Sequence, residues 1–226
     1  MKAVCLLSSG LDSVASLAIA SGKYDVQLGL TFDYGQLAAD AEIGLSRQIC
    51  DYYGIQHRVI SLDWMKDITT TSLVNRQGDV PDMAEADLGN AKVTSESAAK
   101  VWVPNRNGLM ANVAAAFAEA MGCDYIIAGF NAEEAATFPD NSPEFVDCIN
   151  RALSYSTLNG VRLISPVLEM DKVSIVKEAV RARAPLVLSW SCYQGEEKPC
   201  GLCESCVRRA RAFREAGIKD PAVEDI

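Results

Sequence analysis

The chain has 226 residues, of which 49% are hydrophobic and 23% charged, so it is neither disordered nor fibrous and is long enough to bury a core. It contains 21 Lys and Arg but 30 Asp and Glu, and the formal net charge of -9 argues against nucleic-acid binding as its main role. A small phosphate-bearing ligand held by backbone groups at a helix end remains compatible with that charge.

The first part of the chain alternates short apolar runs with helical patterns. Strands are predicted over residues 3–7, 26–32 and 57–62, and helices over residues 12–21 and 38–53. Gly22 and Gly54 are placed to end the two helices. Residues 64–103 are less regular, and we expect an insertion or mobile lid there with a short helix near its start.

Beyond residue 103 the alternation returns. Strands are predicted over residues 124–130 and 162–165, and helices over residues 109–121, 143–155, 171–183 and 205–215. Strands and helices that alternate with short joints are typical of an α/β fold with a doubly wound parallel sheet. We expect a main domain over residues 1–188 and a small module over residues 189–226.

The cysteines point to a metal site. The N-terminus lacks the apolar stretch of a secretion signal, and no run approaches the length of a membrane span, so we expect a cytoplasmic protein with reduced thiols. Four of the eight cysteines are crowded together, with seven, two and two residues between them: Cys192, Cys200, Cys203 and Cys206. This spacing favours a closed structural zinc site over an iron–sulfur cluster or a redox dithiol.

The loop after the first strand is suited to an anion. It offers hydroxyls, a glycine, consecutive backbone N–H groups and the positive end of a helix dipole. Its residues are Ser8, Ser9, Gly10, Leu11, Asp12 and Ser13. The alternative is an ordinary strand-to-helix turn with a capping side chain.

This loop resembles the pyrophosphate loop of the N-type ATP pyrophosphatases, the PP-loop enzymes, although Ser9 stands where their pattern has glycine. Further motifs resemble the 7-cyano-7-deazaguanine synthase family over about residues 2–213. They are the segments 32–36, 103–107, 128–132, 138–140 and 190–193, together with the three later cysteines. The resemblance implies a PP-loop fold of the adenine nucleotide alpha hydrolase type.

The resemblance also implies a reaction. A carboxylated deazapurine, 7-carboxy-7-deazaguanine, and ammonia would give the nitrile at the expense of two ATP, with release of AMP and pyrophosphate, in queuosine biosynthesis. Mg²⁺ would bridge the phosphates. The family further suggests a homodimer. The sequence contains a single histidine, so activation must come from ATP, cations and backbone donors rather than from a histidine base.

Roles carry over from the family by position. Asp12, Ser13, Arg106 and Lys172 are the candidate catalytic residues. The pyrophosphate loop with Leu30 and Phe32 would hold ATP, whereas Asn131 and Asp140 would contact the deazapurine. The alternative is that Arg106 and Lys172 are surface residues at helix starts, and that Asp140 is only a turn or cap residue. Four arginines near the C-terminus form a solvated face or salt bridges: Arg208, Arg209, Arg211 and Arg214.

Two other functions fit parts of the sequence. One is a PP-loop amide ligase or tRNA-modifying enzyme for a different substrate, although the net charge of -9 disfavours an RNA-binding face. The other is a zinc-stabilised nucleotide-binding protein without catalytic activity, which Ser9 permits but the intact Asp12, Ser13 and Arg106 oppose.

Overall fold

Five parallel strands form the centre of the molecule. The computed structural model describes residues 1–74 and 80–223. The strands are β1 (Lys2–Leu6), β2 (Asp25–Asp33), β3 (Gln56–Ser61), β4 (Tyr125–Ile127) and β5 (Arg162–Ile164), in the order β3-β2-β1-β4-β5. Every neighbouring pair is parallel, so the predicted doubly wound parallel sheet is confirmed.

Burial follows the apolar runs of the sequence. Val4 and Cys5 of the central strand β1 are fully buried, as expected for a strand covered on both faces. The edge strand β3 is more exposed, and its residues are mostly polar or charged.

Nine helices lie in the described residues. They are α1 (Leu11–Ser21), α2 (Ala39–Tyr53), α3 (Met65–Ile68), α4 (Ala91–Val101), α5 (Arg106–Ala120), α6 (Ala132–Ala135), α7 (Pro143–Ser156), α8 (Lys172–Arg181) and α9 (Glu204–Ala216). Gly54 follows α2 with φ of 65°, the left-handed conformation that ends many helices at glycine. The patterns of the sequence predicted seven of these helices but missed α4 and α6.

The helices cover both faces of the sheet. Helices α1 and α2 pack on one face through residues such as Leu17 and Ile49, and α8 packs beside α1. Helices α5 and α7 cover the other face. The inner side of α5 carries Ala111, Ala114 and Ala118, all fully buried, and these small side chains let the helix approach the central strands closely. None of the helices in the described ranges is long and apolar enough to cross a membrane.

The strand order places a crevice above β1 and β4. The chain runs outward from β1 to β3 and then returns to β4 on the other side of β1. Ligands of open α/β sheets bind where the order reverses, at the carboxyl ends of the strands. The loop after β1 and the segment after β4 therefore flank the same crevice.

The segment expected to be an insertion or lid packs against the cysteine-rich part of the chain. The backbone N–H of Met83 donates to the carbonyl of Leu202 at 2.9 Å. The hydroxyl of Ser97, on the unpredicted helix α4, donates to the Glu204 carboxylate at 2.7 Å. The interaction with Glu204 explains why a local pattern could not reveal this arrangement, since the two residues are 107 positions apart.

Gly129 brings the segment after β4 against the start of α1. A Cβ at Gly129 would lie 2.8 Å from the Ser13 nitrogen and 3.0 Å from the Asp12 carbonyl carbon, both of them backbone atoms. A side chain at this position would therefore force two main chains apart.

We expect Gly129→Ala to lower the free energy of unfolding by about 2 kcal/mol through overpacking, measured by urea denaturation. The matched control is Gly44→Ala inside α2, where a Cβ meets no atom within 4 Å. That variant should gain about 0.5 to 1 kcal/mol from its better helix propensity. Equal stability of the two variants would contradict the close approach at Gly129.

Candidate functional site

A cavity of about 280 Å³ opens at the carboxyl edge of the sheet. Most of the residues that the sequence singled out for ATP or catalysis line this cavity. They are Ser8, Gly10, Leu11, Asp12, Ser13, Leu30, Phe32, Arg106 and Lys172. The fold thus brings together side chains that are up to 164 positions apart (from Ser8 to Lys172).

The loop after β1 is held in one shape by its own hydrogen bonds. The Ser13 hydroxyl donates to the Gly10 carbonyl at 2.9 Å and accepts from the Ser8 backbone N–H at 3.4 Å. The first hydrogen bond of α1 runs from the Val14 N–H to the Gly10 carbonyl. Helix starts leave their first N–H groups without partners inside the helix, so those of residues 11–13 are suited to bind an anion.

Ser9 occupies the turn of this loop in a strained conformation. Its φ is 55°, a region that costs a side-chain-bearing residue roughly 1 to 2 kcal/mol relative to glycine. Ser9 is fully buried, and its hydroxyl has no hydrogen-bond partner among the described residues. Ser9 is not among the described residues that line the cavity.

Lys172 joins the loop to the segment after β4. It is the first residue of α8 and is only 7% exposed. Its ammonium lies 2.5 Å from Asp12 Oδ2 and 2.8 Å from Glu134 Oε1. The surface alternative for Lys172 is therefore wrong.

Lys172, Asp12 and Glu134 shift one another's pKa values. Burial opposes the charged ammonium, but the two carboxylates outweigh burial and raise the pKa of Lys172. Burial also acts against an ionised Glu134, yet the ammonium holds the pKa of Glu134 below its usual range. Burial raises the pKa of Asp12 more than Lys172 lowers it. The other carboxylate oxygen of Asp12, Oδ1, is buried and has no partner in the described part of the chain.

Glu133 connects Lys172 to helix α9. One of its oxygens accepts from the Lys172 backbone N–H at 3.0 Å. Its other oxygen accepts from Arg208 at 2.8 Å and from Arg211 at 2.5 Å. Arg208 also donates to Glu204 beside the cysteine group. A chain of charged groups thus connects the cysteine-rich end to the cavity.

The other two arginines of α9 are paired as well. Arg209 binds Asp220 with an oxygen–nitrogen distance of 2.5 Å, and Arg214 binds Glu85. All four arginines therefore form salt bridges, which confirms that interpretation of the basic helix.

Arg106 lines the same cavity. It begins α5, and its guanidinium donates to the Tyr34 hydroxyl at 3.1 Å and lies 5.7 Å from the centre of the Tyr34 ring. This contact orients the guanidinium without using most of its donors. Arg106 therefore retains N–H groups for a phosphate or a carboxylate.

The two residues expected to contact a deazapurine are not in the cavity wall. Asn131 is fully buried; its side-chain oxygen accepts from the Glu134 backbone N–H at 3.0 Å, so it caps the short helix α6. The Asp140 carboxylate accepts from the side-chain amide of Asn141 at 3.3 Å in a short turn after Phe138. Phe138 precedes Asp140 by two positions and Asn141 follows it directly, and both of these neighbours line the cavity.

Glu42 is a cavity carboxylate that the sequence did not single out. It lies in the first turn of α2 and accepts from the Gln36 side-chain amide at 2.9 Å. Burial raises the pKa of Glu42 to about 7, although Gln36 and the nearby Arg106 act in the opposite direction. No motif marks Glu42 because its position depends on the turn from β2 into α2.

The four crowded cysteines form one group that could hold a metal. The sulfurs of Cys192, Cys200, Cys203 and Cys206 all lie within 4.8 Å of one another. Those of Cys200 and Cys206 are 4.0 Å apart, close to the separation of about 3.8 Å expected when thiolates surround a metal at about 2.3 Å. Backbone N–H groups of Cys200 and Gln194 point at the Cys192 sulfur, as is typical of thiolate ligands. The donor set and its spacing fit a metal.

Comparison with known proteins agrees with this geometry. The family model of the queuosine biosynthesis protein QueC matches residues 2–217. The chain belongs to the QueC family. A 7-cyano-7-deazaguanine synthase from Methanosarcina barkeri is 58% identical over 227 residues, which cover 99% of this chain and 98% of that protein. The synthase of the same name from Methanosarcina mazei is 56% identical over the same shares.

A more distant relative gives the same result. The 7-cyano-7-deazaguanine synthase of Carboxydothermus hydrogenoformans is 54% identical over 93% of this chain and 97% of that protein. These matches confirm the family resemblance expected from the motifs. They support a synthase of this family over a ligase for a different substrate or a protein without activity.

The raised pKa of Glu42 makes stability depend on pH. The folded carboxyl titrates near pH 7 and the unfolded one near its ordinary 4.5, so the folded state binds the extra proton between these values. Stability therefore decreases as pH rises from about 4.5 to 7. We expect Glu42→Gln, which keeps an acceptor for Gln36, to raise the free energy of unfolding at pH 8 by about 1 to 2 kcal/mol and to change little at pH 4.5.

Urea denaturation at the two pH values measures this difference. The control is Glu144→Gln in the first turn of α7, an exposed carboxylate whose replacement should leave the pH profile unchanged. A Glu42→Gln effect of the same size at pH 4.5 and pH 8 would contradict the elevated pKa.

Proposed function

We propose that this chain converts 7-carboxy-7-deazaguanine and ammonia into 7-cyano-7-deazaguanine with two molecules of ATP. The observation that carries the proposal is the shared cavity of the loop after β1, Lys172 and Arg106. Together they offer helix N–H groups, an ammonium and a guanidinium to a substrate that carries phosphates and a carboxylate.

The proposed reaction has two adenylation steps. The carboxylate attacks the α-phosphate of the first ATP, which gives an acyl adenylate and pyrophosphate. Ammonia then displaces AMP and leaves a primary amide. The amide oxygen attacks the second ATP, and loss of AMP and a proton from the resulting adenylate leaves the nitrile. Each adenylation places new negative charge on departing pyrophosphate.

The residues around the loop are suited to stabilise that charge. The N–H groups of residues 11–13, which the helix itself leaves unpaired, would face a phosphate at the positive end of α1. The Lys172 ammonium, held by Asp12 and Glu134, lies beside the same loop. Arg106 has donors left for the α-phosphate or for the substrate carboxylate. Backbone of Leu30 to Phe32, at the end of β2, would hold the adenine.

Mg²⁺ fits the carboxylates at this end of the cavity. The unpartnered Asp12 Oδ1 is a buried hard oxygen of the kind that Mg²⁺ prefers. Asp12 would hold the ion with the nucleotide phosphates, and the ion would neutralise charge on the phosphates. The two carboxylates around the Lys172 ammonium carry one more negative charge than the ammonium neutralises, so the positive charge of Mg²⁺ also suits this site.

We also propose that the four-cysteine group binds structural zinc. Four thiolates leave no vacant position for catalysis, and the group lies within a module over residues 189–226 that supports α9. Residues 1–188 would form the ATP pyrophosphatase domain, and residues 64–103 its insertion. None of the eight cysteines forms a disulfide, which suits a reducing cytoplasm. The homodimer implied by the family stays a prediction.

The activity is tested with purified protein, the deazapurine acid, ammonia, Mg²⁺ and ATP. We expect two AMP and two pyrophosphate for each nitrile detected by mass spectrometry. Lys172→Met removes the ammonium and should lower turnover by about 100- to 1,000-fold. Lys177→Met, an exposed change on the same helix, serves as the control and should retain turnover.

Two results would count against this function. One is AMP release that stays at background with this acid and rises with a different one. The other is full turnover by folded Lys172→Met protein, which would remove Lys172 from the phosphate site.

The metal is tested by elemental analysis, which should find about one zinc ion per chain. Cys203→Ser should lose the zinc and lower Tm by about 10 °C, since structural zinc contributes directly to folding. Cys148→Ser alters an exposed cysteine outside the group and should keep both zinc and Tm. Iron and sulfide in place of zinc would identify a different cofactor.

A further inference from the structure

The cavity has a second carboxylate region away from Asp12 and Glu134. Glu42, Gln36 and Tyr34 all line the cavity and follow the end of β2. None of these three residues is among the candidate residues that the sequence suggested. The question is which chemical group a carboxylate at this position recognises.

Gln36 fixes the Glu42 side chain. The Gln36 amide nitrogen donates to Glu42 at 2.9 Å and to the Phe32 carbonyl at 2.9 Å, and its oxygen accepts from the Tyr34 N–H at 2.9 Å. Gln36 is 5% exposed, and both N–H donors of its side-chain amide are used to hold this geometry. Glu42 is thus oriented by a contact within the protein itself.

The Glu42 carboxylate still lacks partners. Gln36 occupies one lone pair of Oε2, and no hydrogen bond reaches Oε1 from any residue in the ranges 1–74 and 80–223. A partly buried carboxylate in this state is stabilised by a ligand that brings N–H donors. The two oxygens of one carboxylate match two adjacent N–H groups in a plane.

The guanine edge presents that pattern. Its ring N1–H and its exocyclic amino group lie side by side, and both donate. The corresponding edge of adenine pairs one amino donor with a ring nitrogen that accepts, which a carboxylate repels. The surrounding walls include the flat rings of Phe32, Tyr34 and Phe138, which are suited to a planar bicycle.

We propose that Glu42, held by Gln36, recognises the guanine-type edge of the deazapurine substrate and so determines specificity for it. This role rests on the proposed function for the identity of the acid, and it replaces Asp140, which does not line the cavity. The acid group of the substrate would then point away from Glu42, toward the loop and Lys172.

The experiment compares 7-carboxy-7-deazaguanine with 7-carboxy-7-deazahypoxanthine, which lacks only the 2-amino group. Affinity is measured by calorimetry and turnover by AMP release, for wild type, Glu42→Gln and the exposed control Glu144→Gln. Wild type and Glu144→Gln should bind the amino compound about 100-fold more tightly than the analogue. Glu42→Gln should bind 7-carboxy-7-deazaguanine about 100-fold more weakly than wild type does. Its affinities for the two compounds should differ by less than about 5-fold.

The affinity for ATP shows whether Glu42 contacts the deazaguanine of the substrate or the adenine of ATP. Glu42→Gln should leave the affinity for ATP within about 2-fold of wild type. A large loss of ATP affinity with unchanged affinity for the acid would overturn the proposal by placing adenine against Glu42. Unchanged discrimination by Glu42→Gln, or its loss in Asp140→Asn instead, would also overturn it.

Binding and turnover distinguish this proposal from the proposed function. If wild type distinguishes the two compounds through Glu42 but releases no AMP with either, the specificity role stands and the proposed reaction fails. If turnover is normal and Glu42→Gln behaves like wild type, the reaction stands and the role of Glu42 fails. If wild type does not bind the acid at all, both fail.

Discussion

The ammonium of Lys172 must have carboxylate partners, because a charged amine that is 7% exposed is very unfavourable alone. Asp12 and Glu134 meet that need from two different segments, one after β1 and one after β4. Several other features follow from this requirement. Asn131 caps α6 and so holds Glu134 in place, and Glu133 fixes the first N–H of α8. The ion pairs of Lys172 thus connect the two sides of the crevice between β1 and β4.

The cavity has two regions of opposite charge, one at the loop after β1 and one at Glu42. At the loop, the N–H groups at the start of α1 and the Lys172 ammonium offer positive charge to a phosphate. At Glu42, the protein presents an acceptor to the donors of a neutral base. A protein with a net charge of -9 can therefore hold a highly charged nucleotide, since only the local arrangement of charges matters at these distances.

Local patterns in the sequence were enough for the sheet, for seven helices, for the loop after β1 and for the cysteine group. Each of these depends on residues within about one element of each other. Glu134, Glu133 and Glu42 were missed because their partners are distant or lie across a turn; Lys172 is 160 positions from Asp12. Helix α4 was missed because it lies in the segment that was expected to be an insertion, and it packs on α9 through contacts such as Ser97 with Glu204. Asn131 was expected to contact the deazapurine, and its capping role needed the three-dimensional position of α6.

The shape of the loop around Ser9 has a consequence for the thermodynamics of nucleotide binding. The Trp190 N–H donates to the Ser9 carbonyl at 2.9 Å, and the Ser13 hydroxyl donates to the Gly10 carbonyl, so contacts within the protein itself hold the strained turn. A flexible loop would lose conformational entropy each time it closed around pyrophosphate, and that loss would weaken binding. Here the ordering takes place during folding. The affinity for nucleotide can then reflect the contacts themselves, while the strain at Ser9 lowers only the stability of the fold.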